Sequence, residues 1–182
     1  PAHGISDVVF LSSRDGVNFD RSFMEAWIRP GLDVKNWMHA GTSPAWGLLQ
    51  TGPEELSVYW FQNYYQHDST CYLQRGTLRL DGFVSLDSEG LGNLITKPFR
   101  VDGSTLHVNV DAKCGQVVAE IIDAETLQPL PGLSLGECNP LSVDDIDQQI
   151  TWLQGARLDS ERPIRVRFEM RDSKIFAFWL RK

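Results

Sequence analysis

Aromatic and amide side chains are concentrated in one short stretch, "WFQNYYQHDS", which begins at Trp60. A flat indole or phenol ring can stack on the apolar C–H face of a sugar, while neighbouring polar groups bond the sugar hydroxyls. The pattern predicts carbohydrate binding, although core packing is the alternative for the tryptophans, since Trp is usually largely buried. The candidate sugar-binding residues are Trp37, Trp46, Trp60, Tyr64, Tyr65, Asn63 and His67, with Asn36 and Gln62 as further polar neighbours.

Acidic residues in the same half of the chain raise the question of glycoside hydrolysis. That reaction uses two carboxyl groups on either side of the scissile bond, about 5 to 9.5 Å apart. The acidic residues considered are Glu25, Asp33, Glu54 and Glu55. Glu25 and Glu54 are the catalytic candidates, and the alternative is that each is a solvated or ion-paired surface group.

The segment "GECNPLSVDDID" is rich in oxygen ligands. Calcium binds carboxylate and carbonyl oxygens in loops of this kind. The sequence predicts that no cofactor is required and that a structural Ca²⁺ could be held here. The candidate ligands are Glu137, Asp144, Asp145 and Asp147. The segment has no D-x-D-x-D-G pattern, and a solvated acidic loop is the alternative interpretation.

Other catalytic motifs do not occur in the sequence. It contains no G-x-S-x-G, no G-x-x-x-x-G-K and no H-E-x-x-H. The three cysteines, Cys71, Cys114 and Cys138, include no C-x-x-C pair and show no zinc-ligand spacing with the histidines. One disulfide with a free thiol, or three free thiols, both fit this count.

Alternating apolar residues predict that these groups are carried on β-strands. In "TLHVNVD", "QVVAEIID" and "PIRVRFEM" every second residue is apolar, and Asp-Gly, Gly and Pro turns separate the runs. "KIFAFWL" is apolar on both faces, which predicts a strand covered on both sides. The segment "SVDDIDQQITWLQG" is either a helical turn capped by Ser142 or, as we prefer, a loop with a short helical turn leading into the strand "QQITWL".

Composition changes midway along the chain. Four of the six tryptophans lie before residue 61. A soft boundary is placed near "SLDSEGLGN", residues 85–93, and the glycine-rich "SEGLGN" within it, residues 88–93, is interpreted as a linker turn. We therefore predict an all-β fold with two parts, an aromatic-rich β segment at residues 1–84 and a jelly-roll-like β-sandwich at residues 85–182.

The charge of the chain argues against a nucleic-acid partner, and the length of its apolar runs argues against a membrane partner. The chain has 182 residues, a net charge of -7 and scattered basic residues, so we expect no nucleic-acid partner. No apolar run reaches the roughly 18 residues of a membrane helix, so we expect no membrane partner.

Several segments resemble a known family. "SSRDGVNF", with the turn at Asp15 and Gly16, is similar to the S-x-D-G-x-x-F/W turn in propeller blades of glycoside hydrolases related to the invertase and arabinanase families. "EAWIRPGLD", "TGPEELSVYW", "LQRGTLRLDGFVSL" and "PLPGLSLGEC" together resemble the C-terminal part of bacterial hydrolase-like proteins with a five-bladed propeller. In that family the last blade is followed by a β-sandwich. The resemblance covers most of the chain.

The resemblance implies a setting for the chain. Residues 1–84 would be a last propeller blade, the catalytic domain would lie upstream in the same polypeptide, and that parent protein would be the glycoside hydrolase. We expect it to be secreted or periplasmic, although these 182 residues contain no signal-peptide pattern. A lone blade leaves sheet edges open, so its strands would pack on the sandwich or the chain would form a homodimer.

Three functions follow as hypotheses. The first is a non-catalytic accessory domain that binds a polysaccharide or oligosaccharide on exposed aromatic rings. The second is a structural β-sandwich that braces the propeller or mediates oligomerisation. The third is a fragment that carries glycosidase carboxylates. Because the catalytic carboxylates of a propeller are spread over several blades, we expect this chain alone to be non-catalytic.

Overall fold

The computed structural model describes residues 4–37, 42–64, 70–101, 105–155, 158 and 161–182. Among these residues the chain forms β-strands and short 3-10 helices, with no α-helix. The predicted all-β class is therefore confirmed, and the antiparallel sheets are those expected of a β-sandwich. Within the same ranges, no helix is long and apolar enough to cross a membrane.

The strands are numbered in chain order. They are β1 (Val8–Val9), β2 (Ser12–Ser13), β3 (Phe19–Asp20), β4 (Ala26–Ile28), β5 (Ser43–Pro44), β6 (Leu49–Gln50), β7 (Glu55–Gln62), β8 (Tyr72–Arg79), β9 (Leu86–Ile95), β10 (Thr105–Asp111), β11 (Gln116–Asp123), β12 (Asp144–Ile150) and β13 (Ile164–Arg181). The 3-10 helices are Val34–Asn36, Leu135–Glu137 and Leu153–Gly155.

The chain divides into two compact units, an N-terminal unit (Pro1–Leu78) and a C-terminal unit (Arg79–Lys182). The sequence places a boundary between residues 84 and 85. The interpretation of residues 88–93 as a linker turn is wrong, because all of them belong to β9. The glycines of this segment, Gly90 and Gly92, lie within β9, and Gly90 adopts a φ of 75°.

The N-terminal unit is built around β7. Strands β5 and β6 pair antiparallel with β7, β8 also pairs with it, and two further small sheets join β1 to β4 and β2 to β3. Among its described residues, only Ile28 and Val58 are buried apolar side chains. The unit therefore depends on turns and polar contacts more than on a hydrophobic core. Its likeness to a propeller blade stays a prediction.

Asp15 organises the turn between β2 and β3. Its Oδ1 accepts hydrogen bonds from the backbone N–H groups of Asn18 at 2.8 Å and Val17 at 2.9 Å, and from the Ser13 hydroxyl at 3.0 Å. Its Oδ2 accepts one from the Asn18 amide at 2.6 Å. These donors, led by the Asn18 N–H, hold the pKa of Asp15 well below its usual range. Gly16 completes the turn with a φ of 74°.

Strand β13 is the centre of the sheet in the C-terminal unit. Its first half pairs antiparallel with β11 and its second half with β10, so β10 and β11 follow one another along the same edge. Strand β9 pairs with the middle of β13 on the opposite edge. Strand β12 pairs with β10 on the side away from β13. The predicted strands "TLHVNVD", "QVVAEIID" and "PIRVRFEM" are confirmed.

Two irregularities interrupt β13. Val110 pairs with Ile175 and Asn109 with Ala177, which leaves Phe176 as an unpaired bulge residue. Earlier in the strand, Asp172 has a φ of 43°, and its carboxylate accepts a hydrogen bond from the backbone N–H of Gly90 at 2.7 Å. The register between β9 and β13 shifts at this point.

The hydrophobic core lies on one face of this sheet. Alternate residues of β10, β11 and β13 supply most of it, as the period-two pattern predicts. Its fully buried members include Leu106, Val108, Val110, Val117, Ala119, Ile121, Ile164, Val166 and Phe168. Burial of apolar surface on this scale is the main stabilising term of the unit. The jelly-roll topology stays a prediction.

The C-terminal half of β13 is covered on both faces, as predicted. The Phe178 ring contacts Phe168 and Phe99 on the core side, with centroid separations of 5.7 and 6.2 Å. The Arg79 guanidinium covers the Phe176 ring at 4.5 Å from its centroid. Phe176 and Phe178 are two residues apart and would share one face of a regular strand. The bulge at Phe176 is the reason that they contact different neighbours.

Candidate ligand-binding clefts

Trp37 lies at the end of a constrained loop in the N-terminal unit. The preceding 3-10 helix is capped by the Asp33 carboxylate, which accepts a hydrogen bond from the Lys35 N–H at 3.0 Å. The backbone N–H of Trp37 donates to the Val34 carbonyl, and its indole Nε1–H donates to the Gly31 carbonyl, each at 3.0 Å. The ring is therefore fixed in place while 51% of the residue stays exposed.

Asn36 and Asn63 anchor this loop to the end of β7. The Asn36 Oδ1 accepts a hydrogen bond from the backbone N–H of Asn63 at 2.6 Å, and its Nδ2 donates to the Pro30 carbonyl at 2.9 Å. Both asparagines are buried, and Asn63 adopts a left-handed φ of 55°. Asn63, a predicted sugar ligand, is thus placed where it supports the Trp37 loop.

A cleft of about 460 Å³ opens beside Trp37 and is called the Trp37 cleft below. Its lining includes Ile5, Asp7, Arg29, Pro30, Leu32 and Trp37. The Arg29 guanidinium lies 3.7 Å from the Glu25 carboxylate, but both side chains are largely exposed, so this ion pair is weak. The cleft therefore offers a guanidinium donor, a carboxylate acceptor and an indole face.

Trp46, Trp60 and Tyr64 are not among the residues that line the Trp37 cleft. Trp46 is fully exposed. The Trp60 ring lies against Gly76, where an added Cβ would be 2.6 Å from Cζ3 of the ring, so Trp60 packs on the sheet. The Tyr64 and Phe61 rings have centroids 5.8 Å apart. Tyr65 and His67 lie outside the described residues.

The catalytic candidates do not form a facing pair. Glu25 and Glu54 are both exposed, and neither lines the Trp37 cleft. Glu55 accepts hydrogen bonds from Arg75 at 2.5 Å and Thr51 at 2.8 Å. Asp33 caps the 3-10 helix. Among the residues that line the Trp37 cleft in the described part of the chain, Asp7 is the one carboxylate.

The predicted calcium ligands have separate partners. Glu137 accepts hydrogen bonds from the hydroxyl and N–H of Ser134, which lower its pKa. Asp145 accepts one from the N–H of Asp147 at 2.8 Å. Over the described ranges, no three His, Cys, Asp or Glu residues are grouped as a metal site.

Asp144 and Asp147 are held by basic side chains. Asp144 is bonded by Lys113 at 2.7 Å and Arg79 at 2.6 Å, and the Lys113 hydrogen bond is the main cause of its lowered pKa. Asp147 pairs with His107 Nδ1 at 2.9 Å and with Arg181 Nη2 at 2.5 Å. These carboxylates already have strong partners in the protein.

A second cleft, which the sequence analysis missed, lies in the C-terminal unit. It has a volume of about 240 Å³, is lined by Leu80, Asp81, Ile146, Asp147, Trp179 and Arg181, and is called the Trp179 cleft below. His107 supports its wall, and the His107 and Trp179 rings are 6.3 Å apart with an interplanar angle of 20°. His107, Asp147 and Trp179 are brought together by pairing among β10, β12 and β13, which sequence spacing does not reveal. Leu80 and Asp81 follow the end of β8.

Next to the Trp179 cleft, a hydroxyl and an imidazole are linked by close contacts to Asp147, a carboxylate that lines the cleft. Thr105 Oγ1 lies 3.2 Å from His107 Nε2, and His107 Nδ1 faces Asp147. This order of groups also occurs in nucleophilic active sites. Here His107 is buried and Thr105 Oγ1 also donates to the Arg181 carbonyl at 3.2 Å. These hydrogen bonds connect β10, β12 and β13, so the Thr105, His107 and Asp147 side chains are best suited to stabilising the sheet.

All three cysteines are free thiols. Cys71 and Cys114 are exposed, whereas Cys138 is buried and its Sγ accepts a hydrogen bond from the Ala119 N–H at 3.2 Å. Burial raises the pKa of Cys138. Of the two alternatives left open by the cysteine count, three free thiols is the one observed.

No protein-family model, curated protein or solved structure matches this chain significantly. The resemblance to propeller-bearing glycoside hydrolases therefore stays a prediction.

Proposed function

We propose that this chain is a non-catalytic carbohydrate-binding module and that the Trp37 cleft holds the sugar. The observation that carries the proposal is the half-exposed, fixed Trp37 indole beside the guanidinium of Arg29 and the carboxylate of Asp7. A sugar ring needs an apolar platform for its C–H face together with donors and acceptors for its hydroxyls. The cleft supplies all three.

The rigidity of the Trp37 loop supports this proposal. The indole N–H is bonded within the loop at Gly31, and the loop is anchored to β7 through Asn36 and Asn63. A platform that is already in position loses little conformational entropy when a ligand binds. The ring is also half-exposed, so a ligand can reach it.

The arrangement of carboxylates supports binding without turnover. Glycoside hydrolysis uses two carboxyl groups across the scissile bond. Asp7 is the one acidic side chain among the described residues that line the Trp37 cleft. A hydrolytic activity would then belong to another part of a parent protein. The family resemblance implies that this part is upstream and that the protein is secreted or periplasmic, and both stay part of the proposal. Calcium is not included in the proposal, because Asp144 and Asp147 are held by basic side chains.

The proposal is tested by titrating intrinsic Trp fluorescence with a panel of soluble polysaccharides and oligosaccharides. We expect a saturable change with one glycan class, lost in Trp37→Ala. Trp46→Ala is the matched control, because Trp46 is fully exposed and lines neither cleft. The proposal fails if no glycan binds the folded protein, or if binding survives unchanged in Trp37→Ala and in the loop variant Asn36→Ala.

A second candidate function is a protein interface that braces a neighbouring domain or joins two copies of the chain. It is favoured by the large apolar side chains that the N-terminal unit exposes, among them Phe19, Phe23, Met24, Leu32 and Trp46. Sedimentation equilibrium tests for the homodimer. A monomer at all concentrations would exclude self-association, whereas a dimer that dissociates in Leu32→Asp would support it.

A further inference from the structure

The Trp179 cleft and the Trp37 cleft carry the same kinds of groups. Each has a partly exposed indole, one arginine and at least one aspartate, together with aliphatic side chains. In the Trp179 cleft these are Trp179, Arg181, Asp81 and Asp147, with Leu80 and Ile146 as the apolar part. The two clefts belong to different units and share no residue.

The contacts of Trp179 differ from those of Trp37, because they are made by the faces and edges of side chains on β10 and β13. The Trp179 ring lies nearly parallel to the His107 ring, and the Arg181 guanidinium is 5.9 Å from the Trp179 centroid. Asp147 bonds both His107 and Arg181, which fixes the three side chains relative to one another. The Trp179 indole therefore lies between two side chains, His107 and Arg181, that Asp147 holds in position.

The charges of the Trp179 cleft indicate what it would accept. Arg181 is paired with Asp147, so its charge is already balanced, while Asp81 is exposed at the rim with a left-handed φ of 54°. An anionic ligand would meet the Asp81 carboxylate and a neutralised guanidinium. A neutral polyhydroxyl ligand can donate to Asp81, accept from the remaining N–H groups of Arg181 and stack on Trp179.

We infer that the Trp179 cleft is a second carbohydrate-binding site and that it takes an uncharged sugar residue. The ligand class rests on the proposed function, whereas the existence of the site rests on the contacts of Trp179, Arg181 and Asp81. The chain then binds two sugar residues at two separate clefts, one in each unit.

The inference is tested by NMR, because the indole Nε1–H groups of the six tryptophans give separate signals. Each signal is assigned from a single Trp→Phe variant. Short linear neutral oligosaccharides, namely β-1,4-glucan, xylan, mannan and arabinan fragments, are titrated into the ¹⁵N-labelled full chain. A uronate-containing oligosaccharide is the charged comparison. We expect the Trp37 and Trp179 signals to shift with saturation, and the Trp46 signal to stay in place.

The outcomes separate this inference from the proposed function. Shifts at Trp37 alone would overturn the second site and leave the proposed function intact. Shifts at Trp179 alone would overturn the Trp37 proposal and leave the second site intact. No shift with any sugar would overturn both. Saturation by the uronate alone would overturn the assignment to uncharged sugars.

Variants distinguish direct contact from a conformational response. Trp179→Ala should abolish the Trp179-cleft binding step and reduce the stoichiometry measured by calorimetry from two to one. Because Trp179 stacks on His107 and its removal could disturb the fold, Asp81→Asn is the second variant. Asp81 is exposed, and Asn tolerates the same left-handed backbone. Asp81→Asn should weaken this step severalfold, and unchanged affinity in both folded variants would contradict the inference.

Discussion

A Cβ atom on Gly115 would lie 1.8 Å from the backbone carbonyl oxygen of Arg171 and 2.5 Å from that of Asp172. Gly115 occupies the break between β10 and β11, and Asp172 occupies the irregularity in β13 opposite it. The two interruptions face one another, and the close approach of the backbones requires a residue without a side chain.

Gly115→Ala should therefore destabilise the C-terminal unit by about 3 kcal/mol or more, because backbone atoms of β13 would have to move. Urea unfolding followed by far-UV circular dichroism measures the change. Gly136→Ala is the control, since nothing lies within 4 Å of a Cβ added there. Equal unfolding midpoints for the two variants would show that the contact between Gly115 and Arg171 is not tight in solution.

Asn36→Ala should cost about 1 to 3 kcal/mol, because it removes the acceptor for the buried N–H of Asn63 and leaves that donor unsatisfied. It should also weaken sugar binding at Trp37, since the loop loses its anchor on β7. Chemical unfolding and the fluorescence titration measure the two effects. The control is Asn139→Ala, an exposed amide bonded to the Thr151 hydroxyl. Stability lost without any loss of binding would show that the loop holds Trp37 by its other hydrogen bonds.

The Asp15 turn should resist acid. The native pKa of Asp15 lies well below the 3.8 of an unfolded aspartate, so its stabilising contribution is present above that value and is lost only as the pH falls through the lower native pKa. NMR titration of the Val17 and Asn18 amide protons should give a midpoint below pH 3.8. A midpoint at the unfolded value would refute the hydrogen bonds to Asp15. Asp15→Asn should remove the titration.

Two of the three thiols should react much faster than the third. Cys71 and Cys114 are exposed, whereas Cys138 is buried with a raised pKa. A colorimetric thiol reagent should modify two cysteines in the native protein and the third only after unfolding. Cys138→Ala should leave the fast count at two. A native count of one or zero would indicate that an exposed thiol is oxidised or covered.

The strands of the C-terminal unit were predictable because their burial is regular. Leu106, Val108 and Val110 alternate with His107 and Asn109, so the apolar face of β10 follows directly from the sequence. The burial of His107 and Asn109 on the other face does not. The acidic segment was only partly predictable: β12 begins at Asp144, earlier than "QQITWL", and the short helical turn follows the strand at Leu153–Gly155. Asp144 and Asp147 lie on this strand because basic side chains bind their carboxylates, so the acidic composition of the segment did not mean that it is a loop.

The register of the paired strands and the bulge in β13 could not be predicted from the sequence. His107 and Asp147 are forty positions apart and meet because β10 pairs with β12, while Trp179 joins them through β13. Nothing in the local sequence around Phe176 predicts the bulge that separates it from Phe178. In β9 the glycines suggested a turn, but pairing with β13 and the bond from Gly90 to Asp172 hold them in a strand.

Among the candidate residues, Trp37 was identifiable from its type and its polar neighbours, but Asp7 and Arg29 were not, because the loop brings them to the Trp37 cleft from elsewhere in the chain. The role of Asn63 as an anchor likewise depends on its contact with Asn36.

Strand β13 is the shared partner of β9, β10 and β11. During synthesis on a ribosome, those three strands emerge first and must wait for residues 164–181 before they can pair with it. Pairings of such long sequence separation form slowly and leave apolar strands exposed in the meantime. The sheet of the C-terminal unit can therefore be completed only after β13 has left the exit tunnel. Until then β9, β10 and β11 expose apolar side chains, and a chaperone that binds such side chains would act in this period.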